Sequence, residues 1–386
     1  MTDERRLRIG FMPLVDAAAL IVAVDKGFAK AEGLEVELVR EASWSNIRDK
    51  LAIGHFDAAH LLAPMAIAST LGLGHVKVPF AAPVNLATNG NAITLSPPLF
   101  EELRQIAGGE LLSPTISARA LGALVRRREA QGLEPLTFGM TFPFSTHNYQ
   151  LRYWMAEGGI DPDRDLRLVV LPPPFMVESL REGHVDGFCV GAPWNSIAVD
   201  AGLGVILHFG CEIFPRAPEK VLALRKSSVE ADPQCASALA RAIVAAARFV
   251  EDPQSRQEVA TILAKEDRLA VDAELIARTL EGRLIVNARG DQRQAKDYLL
   301  IHRDGACRPS AQDAAWLYAQ MLRWGQARYS VDSLAAAQGV MRAELYDSAV
   351  GEPFSSPAPV EAFAGPALEN DDLAGYLGAF SIGQKL

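Results

Sequence analysis

Residues 41–65 read EASWSNIRDKLAIGHFDAAHLLAPM. The Ser/Trp/Ser start caps a helix, Gly54 stops it, and a continuous apolar run from about Phe56 to Leu62 reads as a buried strand. Upstream, LRIGFMPLVDAAALIVAVDKGFAKAEGL reads as strand, loop and helix, with Gly33 ending the helix and LEVELVRE following as a second strand. The order strand, helix, strand, helix, strand predicts a parallel, doubly wound α/β sheet.

The same helix-to-strand corner recurs. Leu51, Gly54, His55, Asp57 and Pro64 have counterparts in Leu180, Gly183, His184, Asp186 and Pro193 at a constant offset, giving the pattern L-x2-G-H-x-D-x6-P twice. Two similarly built α/β lobes are expected, with the two histidines as corner residues. With 386 residues the chain is too long for one simple core, which also predicts two lobes. Lobe 1 is expected over residues 1–88 plus about 210–340, lobe 2 over 89–209, and a tail over 341–386 packing on the surface. From about Glu212 the text reads as mostly helical, with Trp316 and Trp324 as packing residues.

Between these corners lies Thr141–Trp154, TFPFSTHNYQLRYW. It reads as a strand end, a Ser/Thr-rich turn and a helix with His147 in its first turn. Ser145 or Thr146 is the natural N-cap, and Leu151, Trp154 and Met155 recur at helical spacing toward a core. A helix start of this kind offers backbone N–H groups and a positive dipole end to an anion. An ordinary capped core helix reads the same way.

Composition narrows the function classes. A net charge of −9 argues against general binding to nucleic acid or anionic membranes. Any anion site must therefore be built from local donors. Cys189, Cys211, Cys235 and Cys307 form no CxxC or zinc-like spacing and read as core residues or free thiols. The apolar N-terminal run is broken by Pro13 and Asp16, and no small-residue cleavage site follows it. A cytoplasmic location is the expectation. No stretch reaches the ~20 uninterrupted apolar residues of a membrane span.

Five segments together resemble the NrtA–CmpA group of nitrate- and bicarbonate-binding proteins. They are the opening stretch, ATNGNAITLS, TFPFSTHNYQLRYWMAEGGIDPDRD, PPPFMVESLREGHVDGFCVGAPWN and FPRAPEKVLALR, in register from about Arg8 to Trp324. The resemblance implies a type II periplasmic-binding-protein fold, two α/β lobes around a ligand cleft with a helical C-terminal region. It also implies ligand contacts from Trp44, Asn91, His147 and Lys220. Asn91 stands where the family usually has Gln, and Ala192 stands where transporter members often carry an acidic residue. In bicarbonate-binding relatives the region of Glu219 can involve a metal ion; here no metal and no cofactor is assigned.

The chemistry of a small planar anion suits this set. One cation and several neutral donors must replace its water. Lys220 supplies the charge, and the Trp44 indole, the Asn91 amide, His147 and backbone N–H groups near Thr146 supply donors. Nitrate, nitrite and bicarbonate all remain open. A cytoplasmic relative resembles the NasS-type nitrate sensors, whose partner is a NasT-like, RNA-binding antiterminator released when ligand closes the lobes. The alternatives are the substrate-binding component of an ABC transporter and an enzyme of thiamine-pyrimidine or menaquinone precursor synthesis on the same fold.

Overall fold

Strand Arg5–Phe11 pairs in parallel with Leu34–Arg40 on one side and Ala58–Leu62 on the other, Ile9 lying opposite Leu38 and Ala58. This is the strand–helix–strand order of the opening stretch, with helices Ala18–Asp25 and Trp44–Ala52 as connections. The computed structural model describes residues 5–351, 360–384 and 386. The chain divides into two compact units: Met1–Thr88, Pro218–Glu281 and Leu299–Pro359 form one, and Asn89–Ala217, Gly282–Tyr298 and Val360–Leu386 the other.

The first unit holds a six-stranded sheet in the order Leu299–Leu300, Phe80–Asn89, Pro218–Arg225, Ala58–Leu62, Arg5–Phe11, Leu34–Arg40. Here the structure corrects two expectations. Pro218–Arg225, inside the region read as helical, is a strand, and it runs antiparallel to both neighbours, Leu222 facing His60 and Val84. The chain leaves this unit along Phe80–Thr88 and re-enters beside it at Pro218, which pairs with Thr88, so the returning strand must run backwards. The sheet is therefore mixed rather than parallel.

The second unit holds a five-stranded sheet in the order Arg167–Val170, Thr137–Met140, Gly187–Gly191, Asn91–Leu95, Val205–Phe209. Asn91–Leu95 is antiparallel to both neighbours. The chain enters it through Asn89 and Gly90 at φ of +64° and +96°, where an asparagine and a glycine are the tolerated residues. The unit's bounds differ from those read in the sequence. The hairpin Arg283–Ile285 with Gln292–Gln294 belongs here, because Ile206 N–H donates to Val286 O at 2.9 Å and Arg293 to Leu207 O at 3.1 Å. Residues 360–386 also belong here: the Tyr153 hydroxyl donates to Ala364 O at 2.7 Å, and its ring packs against Phe363 and Phe380. Residues 341–351 stay with the first unit, Arg342 N–H bonding Ala82 O at 3.0 Å; 352–359 lie outside the described residues.

The repeated corner has a shared geometry. Asp57 accepts the Arg8 N–H at 2.8 Å and returns its own N–H to Arg8 O at 2.9 Å. Asp186 does the same to Thr137, both bonds at 2.8 Å. Gly54 and Gly183 turn the chain at φ of +83° and +70°. Each aspartate thus clamps one residue of a neighbouring parallel strand, while His55 and His184 are exposed. Trp316 is buried in helix Ala311–Arg323, and Trp324 caps its C-terminus. None of the four cysteines forms a disulfide. Among the described residues no helix is long and apolar enough to cross a membrane.

Candidate functional site

The nominated residues fall into two sets, one in each unit. In the first unit, Trp44 opens helix Trp44–Ala52, and Lys220 lies near the start of strand Pro218–Arg225. Both are buried, at 1% and 0% exposure, and Lys220 Nζ stands 5.6 Å from the Trp44 ring centroid. The Trp44 ring meets His60 edge-on at 5.3 Å. Among the described residues the buried Trp44 indole N–H has no hydrogen-bond acceptor. An orphaned buried donor is costly, which makes this atom a candidate ligand donor.

A buried lysine also needs partners. Lys220 Nζ lies 2.9 Å from an Asp16 oxygen and 2.5 Å from Glu219 Oε1. His60 Nε2 lies 3.0 Å from the other Asp16 oxygen. Met12 N–H points at His60 Nδ1 from 3.4 Å, which assigns the ring proton to Nε2. Burial opposes ionisation of Asp16, but the Lys220 charge and the His60 N–H outweigh it and hold the carboxyl at about 2. For Lys220 burial acts downward, yet Asp16 and Glu219 hold the ammonium above its ordinary value. Burial pushes His60 below its ordinary value and so toward the neutral ring.

In the second unit, Asn91, Thr146 and His147 are all fully buried. The helix runs Thr146–Glu157, and Ser145 is its cap, accepting the Asn148 N–H at 3.1 Å and donating to Phe142 O at 2.6 Å. Its burial is greater than the three-residue stripe implied, since every side chain from Thr146 to Ala156 is enclosed. His147 Nδ1 shares a proton with Thr141 Oγ1 at 3.2 Å, which fixes the ring on this first turn. Asn91 donates to Gln150 Oε1 at 3.1 Å, and the Cys189 thiol approaches the same oxygen at 3.6 Å. Gln150 Nε2 is buried and has no acceptor among the described residues. Gly210 makes room for it, because a Cβ there would stand 2.5 Å from Nε2. The short Asn91 side chain thus binds a second amide instead of projecting alone.

Sequence reasoning missed Asp16 and Gln150 and left His60 unassigned. Asp16 did carry a signal: it is a carboxylate inside an apolar run, and a buried charge there must meet a cation. Asn195 ties the second unit's sheet together, accepting from Thr94 at 2.8 Å and donating to Val190 O at 2.7 Å. Where Ala192 replaces the family's acidic residue, its N–H bonds Gly90 O at 3.0 Å. No group of side chains that could hold a metal ion occurs among the described residues.

A family model described as NMT1-like matches residues 2–264. The chain belongs to the NMT1-like family. The chain is 33% identical over 333 residues to the nitrate/nitrite binding protein NrtA of Nostoc sp. PCC 7120, covering 84% of this chain and 71% of that protein. It is 35% identical over 391 residues to the nitrate import ATP-binding protein NrtC of Synechocystis sp. PCC 6803, covering 98% of this chain but 56% of NrtC. The chain thus spans about half of NrtC, and it contains no Gly-Lys-Ser or Gly-Lys-Thr of a phosphate-binding loop. The crystal structure of periplasmic NrtA from Synechocystis PCC 6803 superposes with a TM-score of 0.89 at 27% identity, covering 98% of this chain and 99% of that one. The fold is the periplasmic-binding-protein fold of that structure.

Proposed function

We propose that the chain is an NrtA-type binding protein for nitrate or nitrite. The observation that carries this reading is the end-to-end structural likeness to NrtA, a nitrate-binding protein. The local chemistry supports it. Among the described residues the Trp44 indole beside the Lys220 ammonium in one unit has no acceptor, and neither has the Gln150 amide beside Asn91 and the His147 helix start in the other. A neutral indole donor beside an ammonium suits a weakly accepting monovalent anion. The test is thermal: nitrate at millimolar concentration raises the melting temperature, since a ligand at ~100 Kd adds about 2.7 kcal/mol. Chloride at the same concentration does not raise it. A melting curve unmoved by nitrate and nitrite ends this reading.

Two roles share that chemistry. The finer reading is a cytoplasmic nitrate sensor whose ligand releases a NasT-like antiterminator. Its support is the resemblance of the five segments and the donor residues they carry. Co-purification tests it: the partner binds without nitrate and elutes separately with it, whereas binding indifferent to nitrate refutes it. The second reading is the substrate-binding component of an ABC importer, favoured by the likeness to NrtA and to NrtC. Nitrate-dependent stimulation of a reconstituted transporter's ATPase would establish that role instead. The enzyme alternative draws no support from these relatives.

A further inference from the structure

The two ends of the Gln150 amide have different surroundings. Its oxygen Oε1 accepts the Asn91 side-chain N–H at 3.1 Å and the Cys189 thiol S–H at 3.6 Å. Its Nε2 is buried and has no acceptor among the described residues. The side chain is enclosed at 0% exposure, and Gly210 lies against Nε2, where a Cβ would come within 2.5 Å. These groups come from four elements of the second unit: helix Thr146–Glu157, strand Asn91–Leu95, strand Gly187–Gly191 and helix Gly210–Ile213. Gln150 follows His147 by three residues, so the two share one face of their helix.

Turning the amide over would set its NH2 against the Asn91 NH2 and the thiol S–H, donor on donor. The two neighbours therefore fix which end is which. A carbonyl oxygen has two lone pairs, and both are taken here, so this amide can offer a ligand donation alone. Nitrate and bicarbonate form a matched pair for such a group. Both are planar, with three oxygens and one negative charge, and bicarbonate alone carries an O–H that needs an acceptor. We propose that Gln150 is a specificity-determining residue, locked by Asn91 and Cys189 as a pure donor, so that the chain prefers proton-free anions to those bearing a hydroxyl. The inference rests on the anion-binding reading above and adds the residue that selects within it. A buried O–H set against an N–H leaves both unpaired, which is the kind of mismatch that discriminates strongly between ligands of one size.

Calorimetric titration of the intact chain with nitrate and with bicarbonate, in a sealed cell at one mildly alkaline pH, reads the ratio of the two dissociation constants. The wild-type chain should bind nitrate at least about tenfold more tightly. Gln150→Met keeps the length of the side chain and removes the amide. It should weaken nitrate by about tenfold and bind bicarbonate no worse, so the preference narrows. Cys189→Ala removes the thiol's hold and should narrow the preference too, whereas Cys189→Ser keeps a donor and should retain it. Circular dichroism confirms the fold of each, and the two cysteine variants carry the test if Gln150→Met does not fold. A wild-type chain that binds both anions equally overturns the selectivity and leaves nitrate binding intact. Equal losses for the two anions in Gln150→Met overturn the specificity role, since a merely structural residue would weaken both alike. A folded Cys189→Ala with the wild-type preference overturns the lock. An absence of any nitrate heat overturns the binding reading itself, and this one with it.

Discussion

Lys220 Nζ lies 2.9 Å from the carboxylate of Asp16, a residue on the turn that follows the first strand of the sheet. The pair joins the N-terminal segment to the strand that re-enters the unit at Pro218. Removing one member of a buried ion pair strands the other. Asp16→Ala should therefore destabilise the first unit by about 3 kcal/mol, the low end for such pairs because Glu219 still holds the lysine. Urea unfolding checks this through a lower midpoint. A change below about 1 kcal/mol would show that Asp16 contributes little to holding Lys220.

The same pair sets an acid limit. Asp16 titrates at about 2 in the folded chain against an ordinary 3.8. Its folded value is depressed, so its contribution is complete above about pH 4 and is lost as the pH falls through 2. That contribution is ~2 kcal/mol. His60 acts at milder pH. Its folded value lies below the ordinary 6.5, so the unfolded chain takes up the proton first and stability declines as the pH drops below that value. Stability measured by urea from pH 7 to pH 5 should fall, and His60→Gln should flatten that part of the curve.

The two aspartate clamps should behave alike and independently. Asp57→Ala and Asp186→Ala each remove an acceptor held at 2.8 Å from a strand N–H. Each loss should amount to about 1–2 kcal/mol. The clamps share no partner and lie in different units, so the double variant should sum within about 0.5 kcal/mol. Unfolding of the two single variants and the double variant checks both the size and the additivity.

The repeat was legible because a Gly turn followed by an aspartate is a local device, complete within a few residues. The helix from Thr146 and its Ser145 cap were legible for the same reason. What escaped was non-local. PEKVLALR carries a Glu-Lys pair at its start and little alternation, so nothing in the string marks it as a strand enclosed on both sides. Only the pairing of Thr88 with Pro218 makes it one. Asp16 was read as a break in an apolar run, and its partner Lys220 lies on another segment altogether. The hairpin at Arg283–Gln294 went to the wrong lobe because its anchors, Val286 with Ile206 and Arg293 with Leu207, are contacts across the sequence.

Gly210 tests the second unit's amide pair. A Cβ there would come within 2.5 Å of Gln150 Nε2 and 3.0 Å of Asn91 O, so Gly210→Ala must displace the amide that Asn91 holds. Overpacking of this kind costs about 1–3 kcal/mol. The variant should unfold at lower urea and bind nitrate more weakly. An unchanged nitrate affinity would remove Gln150 from the anion's environment.

The central claim is tested most directly by the Trp44 indole, a buried donor without an acceptor among the described residues. Trp44→Phe keeps an aromatic ring beside Lys220 and His60 and removes that N–H. Nitrate should titrate into the wild-type chain as a saturable, single-site binding, and Trp44→Phe should weaken it by roughly tenfold, the loss of one hydrogen bond of about 1.5 kcal/mol to a charged acceptor. A folded Trp44→Phe with wild-type nitrate affinity, or a wild-type chain that gives no nitrate heat, would contradict the reading.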